Sequence, residues 1–458
     1  MTRANRDGRV KLTIRPSRRA VARHSGGVHL LVRAEPPRPP ARKERRPVAL
    51  ALVLDRSGSM GQAAAGGPAG PAPLPVLGQP GRGAVDTGRA DKLSYVKAAT
   101  LRLLDLMQDG DAVALVTFDD QVAVTKPLTV LDDRSRRALA GAVGRIAAGG
   151  STFLEGGLRA GLEQFGEATL AHYGCKLVLL SDGRANVGEQ RPAVLAEVAA
   201  EAAHRGITTS TLGVGFDYHI ALMSSLAEAG NGDFSHIGSL ESLDEILREE
   251  FTAAAEVTAR GVSVDVELPE RLAFGTNLNG FRQESTEHGF QVLLGDLVRP
   301  KEFLFEVTTP VPLEGDELTI GVRARFRDAG DAAHESVGGL RLRLCDAAEA
   351  EQVPVDDEVM DKLLAQLPAR AEMDATLAHE AGNLAQARAV VDASHRTLAE
   401  VRRYYGASAI GLPGLEAWEA RLSDLNAATM RGPMPPSQMK AMYAAGYDLS
   451  RSRPPRIM

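Results

Sequence analysis

Seven consecutive apolar residues, Val48 to Leu54, end abruptly on Asp55-Arg56-Ser57-Gly58-Ser59. A run without polar interruption fits a strand covered on both faces, as in parallel sheets. Next, "DKLSYVKAATLRLLDLM" carries Leu93, Val96, Leu101 and Leu104 at helical spacing, with Asp91 placed to cap it. "DAVALVTF" and "QVAVTKPLTV" read as strands joined by a turn too short for a crossover, which predicts one antiparallel pair. Strands and helices then alternate to about Phe251. "DRSRRALAGAVGRI" and "TFLEGGLRAGLEQF" are helical, the second with glycines that permit close packing. "KLVLLSD", "ITTSTLGVG" and "GDFSHI" are strands, separated by helices over 191–205 and "HIALMSSLAEAG" and followed by the helix "SLDEILREEF". This alternation predicts an α/β domain over residues 48–256 with a doubly wound, mainly parallel sheet.

The flanks follow other periods. Residues 9–34 hold two partly alternating stretches, "VKLTIRP" and "GGVHLLVRAE", turned at Ser25-Gly26-Gly27, and "EPPRPPARKERRP" is a stiff charged connector ending the segment 1–47. Residues 257–346 offer short strands at regular spacing, the pattern of an antiparallel β-sandwich, and pairing with them is the simplest home for the N-terminal strands. Residues 347–430 turn helical, with patterns over 356–367, 373–405 and 414–430 that predict a small bundle or hairpin. Residues 431–458 read as a flexible tail with at most one short helix. One stretch breaks the α/β rhythm: residues 61–89 are rich in Gly, Pro and Ala and too poor in large apolar residues for a core, so an irregular insertion is expected.

Composition narrows the function. The net charge is −6 and aromatics make up only 4%, which argues against a nucleic-acid protein. The two cysteines, Cys175 and Cys345, lie far apart without CxxC neighbours, so free, buried thiols are expected rather than zinc ligands or a disulfide. No apolar run reaches membrane-spanning length and the N-terminus has no apolar leader core, so no membrane insertion and a cytoplasmic location are expected. HExxH, GxSxG and P-loop motifs are absent.

Candidate chemistry gathers where apolar strands stop. Asp55 lies just past the end of its strand, where open α/β sheets place ligands. With Ser57 and Ser59 it offers a carboxylate and two hydroxyls from one tight loop. "AGGST" puts Ser151 and Thr152 before a helix, and "KLVLLSD" ends on Ser181-Asp182. Three loops supplying oxygens and no His or Cys describe a hard-cation site; Mg2+ fits best, with Mn2+ or Ca2+ as substitutes. Asp119 and Asp120 follow a strand at the same edge and serve as a hairpin turn or as outer support.

The ordered set of Asp55-x-Ser57-x-Ser59, "GGST" with Thr152 and "LLSDGRANVG" with Asp182 resembles the metal-ion-dependent adhesion site of von Willebrand factor type A domains. The phrases "VELPERLAFG" and "FDYHIALMSSLAEAGNGDFSHI" are similar to bacterial relatives of inter-alpha-trypsin inhibitor heavy chains. The resemblance implies that Ser57 and Ser59 bind the metal directly, that Thr152 does so in some states, and that Asp55 and Asp182 act through water. It also implies a protein partner whose Asp or Glu completes the coordination. The family passes almost directly from the second serine into the first helix, whereas residues 61–89 intervene here, and Asp86 within them is a candidate internal ligand. Two rival readings stand beside this non-enzymatic one. A metal-dependent phosphoryl-transfer enzyme would use Asp55 as nucleophile but needs a lysine aimed at the phosphate; a structural protein would have its metal site occupied by its own chain.

Overall fold

A computed structural model describes residues 9–37, 45–62, 91–238, 241–275, 277–328, 330–405, 413–451 and 453. The expected insertion at 61–89, apart from Gly61 and Gln62, and Asp86 with it, lie outside the described residues. The chain divides into two compact units, Glu44–Glu256 and Met1–Lys43 with Val257–Ile457.

The first unit is a six-stranded sheet in the spatial order Val122–Val130, Ala112–Phe118, Val48–Asp55, Gly174–Ser181, Ile207–Val214, Asn231–Ile237. All neighbours are parallel except Val122–Val130 on Ala112–Phe118, the antiparallel pair expected from the short turn. Every residue of Val48–Asp55 is buried. Its even-numbered side chains, Val48, Leu50, Leu52 and Leu54, pack with Leu93, Val96 and Leu103 of the helix Lys92–Leu106 and Leu243 and Ile246 of the helix Glu241–Ala255. Helix Leu154–Leu162 covers the opposite face and fits closely because it carries glycines there: a Cβ on Gly157 would lie 2.5 Å from the Phe118 ring. Strand order reverses around Val48–Asp55, whose chain successor lies on one side and Gly174–Ser181 on the other, so the carboxyl ends of these two strands flank a crevice.

The second unit is built from both ends of the chain. A four-stranded antiparallel sheet joins Lys11–Pro16, Gly27–Glu35, Lys301–Thr308 and Ala273–Phe274. A six-stranded sheet joins Arg282–Thr286, Gly289–Leu297, Ala259–Glu267, Glu317–Asp328, Ala333–Cys345 and, in parallel, Ala20–Ala22. Leu30, Val32 and Phe305 of one sheet share a core with Val264, Phe290 and Val322 of the other, and Phe290 meets Phe305 edge-on at 4.9 Å between centroids. Helices Asp357–Glu380, Leu384–Tyr405, Pro413–Met430 and Pro436–Ser450 follow.

Two expectations need correction here. Helix Asp357–Glu380 runs through Pro368, where the sequence patterns had left a gap, and ends instead at Gly382, whose φ of 73° lets Asn383 N–H donate back to Ala378. Residues 436–450, expected within a flexible tail, form a 15-residue helix with Tyr443 and Tyr447 buried. Gly446 makes that docking possible, since a Cβ there would fall 2.9 Å from Met373 Cγ. Gln366 donates to the Leu449 carbonyl at 2.9 Å and secures the helix end. No helix among the described residues is long and apolar enough to cross a membrane.

Candidate metal site

The crevice at the strand ends gathers all five expected residues. Asp55 is fully buried; its Oδ1 accepts from Ser57 N–H at 2.8 Å and its Oδ2 from Ser181 Oγ at 2.6 Å. The turn that Gly58 and Ser59 make as a short 3-10 segment brings Ser57 Oγ and Ser59 Oγ to 3.0 Å of each other. Ser59 Oγ donates to Asp182 Oδ1 at 2.7 Å, linking the first loop to the end of Gly174–Ser181. Thr152 closes the group. A Cβ placed on Gly183 would lie 3.2 Å from Thr152 Oγ1, 3.5 Å from Ser59 Oγ and 3.9 Å from Ser57 Oγ, so three hydroxyls from two loops lie within 4 Å of one point beside this glycine.

Backbone bonds fix the three loops to one another. Gly58 N–H donates to Gly150 and Gly149 N–H to Arg56, at 3.1 and 2.8 Å. Phe153 N–H donates to the Asp119 carbonyl at 2.7 Å, and Asn186 Oδ1 receives Thr152 N–H at 2.8 Å. Asp119 serves the hairpin turn, where its Oδ1 accepts Gln121 N–H, and its Oδ2 pairs with Arg56 at 2.7 Å. Ser151, the other hydroxyl of that loop, is not among the three atoms nearest this point.

Electrostatics set the character of the cluster. Burial pushes the Asp55 carboxyl up to about 6, against the hydrogen bonds from Ser181 and Ser57 that favour its charged form. A buried carboxylate in this position gains from a nearby cation. Among the described residues no three His, Cys, Asp or Glu side chains gather to hold a metal, and the side chains of this cluster are two carboxylates and three hydroxyls. All donors are hard oxygens, and the set fits a small divalent cation such as Mg2+.

Sequence reasoning missed Lys92. Its side chain is 8% exposed, and Nζ donates to Asp182 Oδ2 at 2.7 Å. Asp217, 68% exposed, lies 4.0 Å from the same ammonium. One signal was available: Lys92 occupies the first position of a helix capped by Asp91, where a cation opposes the helix dipole. Both cysteines are free and buried, and burial pushes the Cys175 thiol up to about 12, so it is inert at neutral pH.

Comparisons with known proteins bear on the fold. Residues 83–249 match the family model of the von Willebrand factor type A domain, a span that includes Thr152 and Asp182 but begins after Asp55, Ser57 and Ser59. The chain is 25% identical over 237 residues to the uncharacterized protein YfbK of Escherichia coli, covering 50% of this chain and 40% of that one. It is also 25% identical over 299 residues to an uncharacterized protein of Synechocystis sp., covering 62% of each. The chain thus spans less than two thirds of the length of either curated relative. Among solved structures, a von Willebrand factor type A protein from Catenulispora acidiphila superposes with a TM-score of 0.62 at 19% identity, covering 86% of this chain and 89% of that one. The ArnB paralog VWA2 from Sulfolobus acidocaldarius gives 0.56 at 16% identity, covering 96% and 99%. These likenesses establish the fold, and with the family match they show that the chain carries a von Willebrand factor type A domain.

Proposed function

We propose that this protein is a divalent-metal-dependent protein-interaction module. Ser57 and Ser59 would hold the ion directly, Thr152 would do so in some states and Asp55 and Asp182 would act through water, and Mg2+ is the expected ion with Mn2+ or Ca2+ as substitutes. When bound, the ion supplies an electrophilic position that an Asp or Glu of a partner protein can occupy. Domains of this family are typically interaction modules that bind a divalent metal. The observation that carries the reading is the meeting of three hydroxyls at the point beside Gly183.

The residues have separable tasks. Ser181 and the Ser57 amide orient Asp55, Asn186 holds the backbone of Thr152, and Gly183 keeps space clear. A charge-assisted bond to a partner acid is strong only where water is excluded, and the burial of Asp55, Thr152 and Asp182 provides a dry floor. Lys92 meets one requirement of the phosphoryl-transfer alternative. Asp55 does not favour that alternative: a fully buried carboxylate with both oxygens accepting hydrogen bonds is poorly placed to attack a phosphorus.

The test is affinity capture from the native host, with wild type and Ser57→Ala/Ser59→Ala as baits, with and without EDTA. The expected outcome is a protein retained by wild type in Mg2+, released by EDTA and absent from the double variant. Retention indifferent to both EDTA and the substitutions overturns the reading.

A further inference from the structure

The pair between Lys92 and Asp182 is unusual for a site built to receive a cation. Asp182 presents Oδ1 to Ser59 at 2.7 Å and Oδ2 to the Lys92 ammonium at 2.7 Å, and the lysine is as buried as the carboxylate it meets allows, at 8% and 0% exposure. A Cβ on Gly215, at a φ of 71°, would lie 3.3 Å from Lys92 Cε and 3.4 Å from Nζ, so the backbone after Ile207–Val214 walls in the ammonium. From this geometry we infer that Lys92 is a fixed counter-charge that sets the sign of the site: it weakens the hold on the metal and reserves the loaded site for an anionic ligand. The inference rests on the metal-binding reading above.

The charge count makes the argument. Asp55 and Asp182 contribute two negative charges and Lys92 one positive, and Asp217 adds little because it lies largely in solvent. The side chains alone therefore sum to one negative charge, which repels a partner's carboxylate. Adding a divalent cation turns the sum to one positive charge, which attracts it. Without Lys92 the same cation would bring the sum only to neutrality. The lysine thus trades metal affinity for a change of sign on loading, and acidic partners are admitted only to the loaded form.

The experiment uses the full chain and Mn2+ as probe. Calorimetry measures Mn2+ uptake by wild type, Lys92→Met, Lys92→Gln and the charge-preserving Lys92→Arg, and acetate is then titrated into each Mn2+-loaded protein with water-proton relaxation as readout. Neutralising a buried positive charge beside a divalent ion should tighten uptake by about tenfold or more. Lys92→Met and Lys92→Gln should show that gain together with weaker acetate binding, while Lys92→Arg should stay close to wild type in both. The Mn2+-induced rise in melting temperature should also be larger in the neutral variants, a readout that reports even where one of them is poorly stable alone. Neutral variants that bind Mn2+ as wild type does, or more weakly, or whose acetate binding is unchanged, overturn the inference. Wild type that takes up no Mn2+ overturns the metal-binding reading instead.

Discussion

The strand Gly174–Ser181 has a buried lysine and a buried acid near each of its ends, and the two arrangements differ. Near its start, Lys176 meets Glu250 of the helix Glu241–Ala255 at 2.7 Å, with side chains 6% and 4% exposed. Past its end, Asp182 meets Lys92 at the same distance but shares its other oxygen with Ser59, beside Ser57 and Thr152. The first is a closed pair: one charge answers one charge, with apolar core nearby. The second sits among oxygens that still have capacity to bind. On the proposed function, the same pairing of lysine and acid serves stability at one end of the strand and ligand recognition beyond the other, because only the carboxyl end opens onto the crevice where strand order reverses.

That contrast can be broken by mutation. Lys176→Met leaves Glu250 buried without its partner and should cost about 3–5 kcal/mol of stability, read as a lower midpoint in urea, while Mn2+ uptake stays at the wild-type level. Loss of uptake in a folded Lys176→Met protein would mean that the two ends are coupled and the contrast is false. A smaller and sharper test is Gly183→Ala. Gly183 lies outside the left-handed region of backbone space, so alanine brings no backbone strain, but its methyl enters the space between Thr152, Ser59 and Ser57. The added methyl meets only hydroxyls that can shift by a few tenths of an ångström, so we expect it to appear as Mn2+ affinity weakened by roughly tenfold (about 1.4 kcal/mol) with melting temperature nearly unchanged. Unchanged affinity in Gly183→Ala would show that the hydroxyls do not act on a common point.

Much of this was legible in residue order, for identifiable reasons. The uninterrupted run Val48 to Leu54 fits a strand buried on both faces, and its abrupt end on Asp55 located the crevice. The short turn at Asp119-Asp120 fixed the antiparallel pair. Lys92 was hidden because a lysine just inside a helix reads as surface, and its partner Asp182 is ninety positions away along the chain. Asn186 was equally unmarked, since a loop asparagine has many local uses and only the fold reveals that it holds the Thr152 amide. The extent of the C-terminal helix, expected as at most one short helix in a flexible tail, was underestimated for a different reason: its buried stripe of Met439, Tyr443 and Tyr447 is short, and its docking is visible only where Gly446 lies against Met373. Between the patterns at 356–367 and 373–405 the helix continues through Pro368, which lies on its buried face.

The central claim is that oxygens from three separated loops converge on one divalent ion. Crystals of the full chain soaked in Mn2+ and measured at the manganese absorption edge test it most directly. The account predicts one anomalous peak per chain, within coordination distance of the Ser57 and Ser59 hydroxyls and adjacent to Thr152, Asp55 and Asp182, and its disappearance in Ser57→Ala/Ser59→Ala crystals. An anomalous map with no peak at these hydroxyls, or with its peak elsewhere on the chain, would contradict it.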